Sequence, residues 1–144
     1  MSIDRSVEAE TRPTPPSGRR ARLALAGVML GSGILHFLIP GYYEKIVPRW
    51  LGDTRQVVHV SGAVELVCGA LLLNRRTARA GGWLTAGVLV GVFPANVQML
   101  LDAGTEHQAM DMPVDRFRVV ALARLPLQFP LIAWAVRVAQ RSGR

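Results

Sequence analysis

Four apolar stretches, each 17–22 residues long, dominate this 144-residue chain. They run Leu23–Ile39, Val57–Leu73, Ala80–Leu101 and Val119–Val136. At about 1.5 Å of rise per residue, a helix of that length spans a hydrocarbon layer of roughly 30 Å, with slight thinning for the shorter ones. Surface helices of a soluble bundle carry a polar stripe at a period of 3.6. These stretches are apolar all round and hold at most one formally charged residue each. No strand-like alternation and no long internal repeat interrupts them. The expected fold is therefore all-α, an integral membrane four-helix bundle over residues 23–136.

The flanks are different. Residues 1–22 contain TRPTPPSGRR, a run too polar and too rich in proline to bury a core, and read as a disordered basic tail. Residues 137–144 read as a second, short basic tail. An arginine-rich segment before an apolar run can also be a signal peptide, and Arg19-Arg20 resembles a twin-arginine signal weakly. No A-x-A site follows Ile39, so the first stretch is expected to remain as a membrane helix.

The net charge of +7 fits this picture better than it fits nucleic-acid binding, because only 6% of residues are aromatic and no basic helix is evident. With alternating connections, one side of the membrane receives eleven cationic residues and the other five, with Arg124 inside the bilayer. The positive-inside rule then places both termini in the cytoplasm. A multi-pass protein of the bacterial inner membrane is the expected localisation. The single cysteine, Cys68, excludes an internal disulfide, a paired-thiol mechanism and a cysteine-rich zinc site.

Ionisable and amide side chains inside apolar stretches are costly and point to a site. Here they are His36, Glu65, Asn96, Arg124 and Gln128, with His59 and Gln98 as secondary candidates. Counted from the helix ends, most lie in the outer half of the membrane, with Glu65 near the middle. Glu65 and Arg124 are the formally charged pair within the spans and the expected counterions of one another. Arg124 and Gln128, four apart, share a helix face. His59 and Glu65 differ by about 120° around their helix, and Asn96 and Gln98 by about 200°, so only one of each pair is expected to face inward. Asn96 is the inward choice unless Pro94 unwinds the helix. Gly27 and Gly31, Gly87 and Gly91, and the pair Gly62 and Gly69 are candidate sites of close helix approach. Two histidines at similar depth raise bis-histidine haem, which nothing in their spacing enforces. No metal site and no catalytic residue is assigned; quinone is the cofactor considered.

The segments GILHFLIPGYYEKIVPRWLG, VHVSGAVELVCGALLL, VFPANVQMLLD and RLPLQFPLIAWA, in this order from Leu23 to Val136, resemble the DoxX-like family of small bacterial four-helix membrane proteins. The resemblance rests on H-F-x-x-P with the I-V-P loop, S-G-x-x-E, F-P-A-N and R-L-P-L-Q. It places His36, Pro40, Pro48, Glu65, Pro94, Asn96, Arg124 and Gln128 at the family's characteristic positions. It implies a membrane bundle that assists a redox partner, such as a quinol oxidase, a thiosulfate:quinone oxidoreductase or an oxidative-stress complex. Relatives that act in assembly imply a second role, as a factor or chaperone for a client protein. A small-solute transporter, functioning as a homodimer, is the third expectation.

Overall fold

The computed structural model describes residues 18–102 and 114–142. All regular structure among them is helical: α1 (Gly18–Leu38), α2 (Pro40–Glu44), a 3-10 turn (Arg49–Leu51), α3 (Thr54–Leu73), α4 (Ala78–Gly91), α5 (Phe93–Asp102) and α6 (Val114–Ser142). Three stretches are long and apolar enough to cross a membrane: Gly18–Leu38, Thr54–Leu73 and the continuous run Ala78–Leu101. Only 17–33% of each is buried inside the protein, so most of their apolar surface faces outward. Leu38, Val60, Leu101, Val119 and Phe129 are all more than 60% exposed. A soluble bundle would hide such side chains.

Helix α1 packs along α3, α3 against α4, and α4 against α6, with a lighter contact between α1 and α6. The core between them is thin and built from small or slender side chains, including Leu25, Ala26, Met29, Cys68, Leu72, Ala86 and Ala135. Close approach of α1 and α3 depends on glycine. A Cβ at Gly62 would stand 2.6 Å from the Cβ of His36, and one at Gly69 would stand 2.5 Å from Leu30. A Cβ at Gly82 would stand 2.8 Å from Ala139 of α6. The other glycine pairs singled out in the sequence behave differently: Gly27, Gly31, Gly87 and Gly91 have open space where a Cβ would be. Among the described residues, neither of those two G-x-x-x-G motifs sets a close helix approach.

Local signals set the helix ends. Gly52, at φ +90°, turns the chain into Asp53, whose carboxylate accepts from the amides of Arg55 (3.0 Å) and Gln56 (3.2 Å) and caps α3. At the far end, Arg22 of α1 donates to the carbonyls of Leu72 and Leu73, which are left free as α3 ends. The Thr77 hydroxyl donates to Leu71 (2.7 Å), and Asn74 accepts from the amide of Arg76 (2.9 Å), closing the tight turn into α4.

The helix boundaries differ from the sequence expectation. Helix α1 starts at Gly18, so residues 18–22 are helical rather than part of a tail; the remainder of that tail lies outside the described residues. Helix α6 extends from Val114 through Ser142, well beyond 119–136 and into the expected C-terminal tail. Arginines at both ends of these segments are compatible with a helix once its apolar middle is packed. The third stretch is divided at Val92, two residues before Pro94, which has no amide proton to serve the carbonyl of Val90.

Candidate functional site: a polar cavity between the helices

A cavity of about 480 Å³ opens between α1, α2, α3, the α4–α5 break and α6. Its walls are largely apolar, from residues such as Ile46, Val47, Val57 and Val92. Four of the residues expected at the site line it together: His36, Glu65, Asn96 and Arg124. Each arrives on a different helix. Helical periodicity supplies further polar neighbours, since Ser32 precedes His36 by one turn and Ser61 precedes Glu65 by one turn.

His36 is buried, at 7% exposure. Its Nδ1 donates to the Ser32 carbonyl at 2.8 Å, which fixes the proton on that nitrogen because a carbonyl can only accept. The same nitrogen lies 3.5 Å from Oε2 of Glu65. Helix α2 folds back over this end of the bundle and lays Tyr43 on the imidazole, with ring centres 3.8 Å apart and planes 20° from parallel. Pro40, at the start of α2, fits this sharp turn because its ring presets φ and its missing amide proton is not needed there. Burial pushes the Tyr43 hydroxyl above its ordinary pKa; the positive charge of Arg124 acts in the opposite direction.

Glu65 and Arg124 share the cavity, and the close contact of the Glu65 carboxylate, at 3.5 Å, is with Nδ1 of His36. The expected pairing of Glu65 and Arg124 thus gains a third member: both charges line one cavity, and His36 stands against the Glu65 carboxylate. The sequence could not show this, because the adjacency of His36 and Glu65 depends on Gly62 allowing α1 to approach α3. Oε2 of Glu65 is buried and has no hydrogen-bond partner among the described residues.

Gln128 stands behind the cavity wall. It is 3% exposed, accepts from Asn96 Nδ2 at 2.7 Å and donates to the Leu89 carbonyl. The secondary candidates are not in the lining. His59 stacks on Phe37, with centres 5.4 Å apart and planes 11° from parallel, and so does not share a cavity with His36. Gln98 is half-buried outside it. Among the described residues no three histidine, cysteine or acidic side chains gather to hold a metal ion. Cys68 is a buried core residue. Tyr43 and Ser32 were missed by sequence reasoning. The i, i+4 spacing from His36 was a usable signal for Ser32; the stacking of Tyr43 had none.

Fold and cavity together define an all-helical protein with helices able to cross a membrane and a polar recess among them. Residues 25–139 match the family described as a domain of unknown function, DUF8561, and the chain belongs to that family. The match runs from α1 to α6 and includes every residue of the cavity. No curated protein and no solved structure matches this chain.

Proposed function

We propose that this chain is a multi-pass protein of the bacterial inner membrane, similar to DoxX-like proteins, that holds a quinone-like or other small ligand as an accessory subunit of a membrane redox or oxidative-stress complex. In this reading α1, α3, the α4–α5 unit and α6 cross the bilayer, both termini are cytoplasmic, and the cavity opens toward the outer leaflet. One observation carries it: His36, Glu65, Asn96 and Arg124 converge on one cavity inside an otherwise apolar bundle. Polar groups at membrane depth persist where they pair or meet a ligand. A largely apolar recess with a few convergent polar groups, within the usual 300–1,000 Å³, is the common form of a small-molecule site. Arg124 and Glu65 set its electrostatics, His36 and Asn96 approach the ligand, and Gln128 supports Asn96.

The test is to purify the full chain in mild detergent, identify copurifying quinones and lipids by mass spectrometry, and identify associated proteins. Retention of a quinone-type molecule by the wild type, and its loss in Glu65→Gln and Arg124→Gln variants that remain folded, is the expected result. Variants with unchanged ligand content and unchanged complex activity would refute the reading.

A second reading, an assembly factor for a client protein, is favoured by the segment joining α1 to α3. Trp50 there is 71% exposed, and Leu51, 41% exposed, lines the cavity. Transient association with an immature client, in place of a stoichiometric oxidoreductase, would favour it.

A further inference from the structure

We propose that one end of the bundle is a docking surface for a phospholipid whose head carries two phosphates, of the cardiolipin type. The proposal rests on the bilayer-spanning reading above and is independent of the cavity. Two contacts bring the segments concerned together. Arg22 of α1 donates to the carbonyls that end α3, so Arg19 and Arg20 start their helix beside the α3–α4 turn. That turn carries Arg75 and Arg76, and Arg79 follows in the first turn of α4. A Cβ at Gly82 would stand 2.8 Å from Ala139, which brings Arg137 and Arg141, two residues to either side of Ala139, to the same end.

Apart from Arg22, these arginines are exposed, and among the described residues no carboxylate pairs with any of them. The described acidic side chains lie elsewhere: Glu44, Asp53 and Asp102 at the opposite end, Glu65 midway along α3. Like charges gathered without counterions repel, so this surface gains from an anion. Its cations are all arginine, whose planar fork meets phosphate oxygens two at a time; the chain's one lysine, Lys45, is at the other end. Trp83 lies one turn along α4 from Arg79 on the same face and is 49% exposed, as a headgroup-level anchor should be. The arginines are thereby set at the depth of lipid phosphates. Their grouping specifies two phosphates. One set surrounds the α3–α4 turn, and the pair on α6, one helical turn apart, is held beside it by the Gly82–Ala139 approach. A head with two phosphates can engage both sets, the second contact being intramolecular, whereas a single phosphate engages one.

The test titrates the purified full chain in mild detergent with cardiolipin or with phosphatidylglycerol at equal phosphate, and reads bound lipid by native mass spectrometry. Cardiolipin is expected to bind about tenfold more tightly, part of the gain that a linked second contact can give. Arg76→Gln with Arg79→Gln, and separately Arg137→Gln with Arg141→Gln, should each bring the ratio to about one, because one set of contacts is lost. These side chains are exposed; should either pair fail to fold, the wild-type ratio and the other pair decide. Lys45→Gln with Arg55→Gln removes the same charge from the opposite end and should leave the ratio unchanged. Equal binding of the two lipids by the wild type overturns the proposal and leaves the membrane reading standing. An equal fall in the Lys45 and Arg55 variant overturns the assignment to this end. Release of bound cardiolipin by equimolar pyrophosphate overturns the choice of a lipid over a free diphosphate. A full chain that stays monodisperse in water once detergent is removed overturns the membrane reading and the proposal with it.

Discussion

Asn96 and Gln128 join α5 to α6 through a single hydrogen bond of 2.7 Å, and Gln128 passes the connection on to the Leu89 carbonyl on the other side of the α4–α5 break. One amide side chain thus fastens three helical segments at the point where Pro94 weakens the backbone ladder. The cavity wall formed by Gly91, Val92, Ala95 and Asn96 is positioned by that fastening.

Removing Gln128 leaves the Leu89 carbonyl and the Asn96 amide without their partner in apolar surroundings. Gln128→Leu is expected to destabilise the protein by about 1–3 kcal/mol. The coupling between Asn96→Ala and Gln128→Ala in a double-mutant cycle should be smaller, about 0.6 kcal/mol and at most roughly 1.7, as for other hydrogen bonds between membrane helices. Unfolding in mixed detergent micelles measures both. A cycle with no coupling would show that the two side chains act independently.

Glycines in similar sequence motifs should respond in opposite ways. Gly62→Ala puts a methyl group 2.6 Å from the His36 Cβ and 3.1 Å from the Gly33 carbonyl, so α1 and α3 must separate. The expected cost is about 1–3 kcal/mol, with distortion of the His36–Glu65 contact. Gly87→Ala meets open space and, in a helix interior, should be neutral or stabilising by up to about 1 kcal/mol. The same micelle unfolding assay separates them.

Tyr43 offers a spectroscopic check. Its phenol is raised by burial, so it should ionise at higher pH than an ordinary tyrosine, whose value is about 10. The sign for stability follows: the folded state favours the protonated phenol, so this contribution is full below about pH 10 and is lost as the pH rises toward the folded value. Absorbance titration at 295 nm should show a late step that disappears in Tyr43→Phe. Arg124→Met removes the opposing positive charge and should move the step later still.

Much of this molecule was legible from its sequence, for reasons that differ by residue. Helix type followed from unbroken apolar length, which strands and surface helices do not have. His36, Glu65, Asn96 and Arg124 stood out because polar groups are costly in such stretches, so their presence needs a compensating neighbour. The identity of that neighbour was not legible. The contact of Glu65 with His36 is set by the separation of α1 and α3, a quantity of packing that no spacing within one helix encodes. The same applies to glycine: Gly62 and Gly27 look alike in sequence, and only the neighbouring helix distinguishes them. Helix ends were missed at Gly18 and Val114 because hydropathy marks where a helix turns polar, not where its backbone hydrogen bonds stop.

The proposed orientation can be tested with the protein's own lack of reactive thiols. Cys68 is fully buried, so the wild type should not react with a membrane-impermeant maleimide. Trp50 and Arg76 are both exposed, in the α1–α3 and α3–α4 connections, at opposite ends of α3. A cysteine at either position disturbs no packed side chain in the core. If the N-terminus is cytoplasmic, Trp50→Cys should label in intact spheroplasts and Arg76→Cys only after the membrane is permeabilised. The excess of arginine in the expected inner segments, Arg75, Arg76 and Arg79 among them, is the physical basis for that order. The reverse labelling pattern would invert the protein and turn α2 and the segment that carries Trp50 toward the cytoplasm.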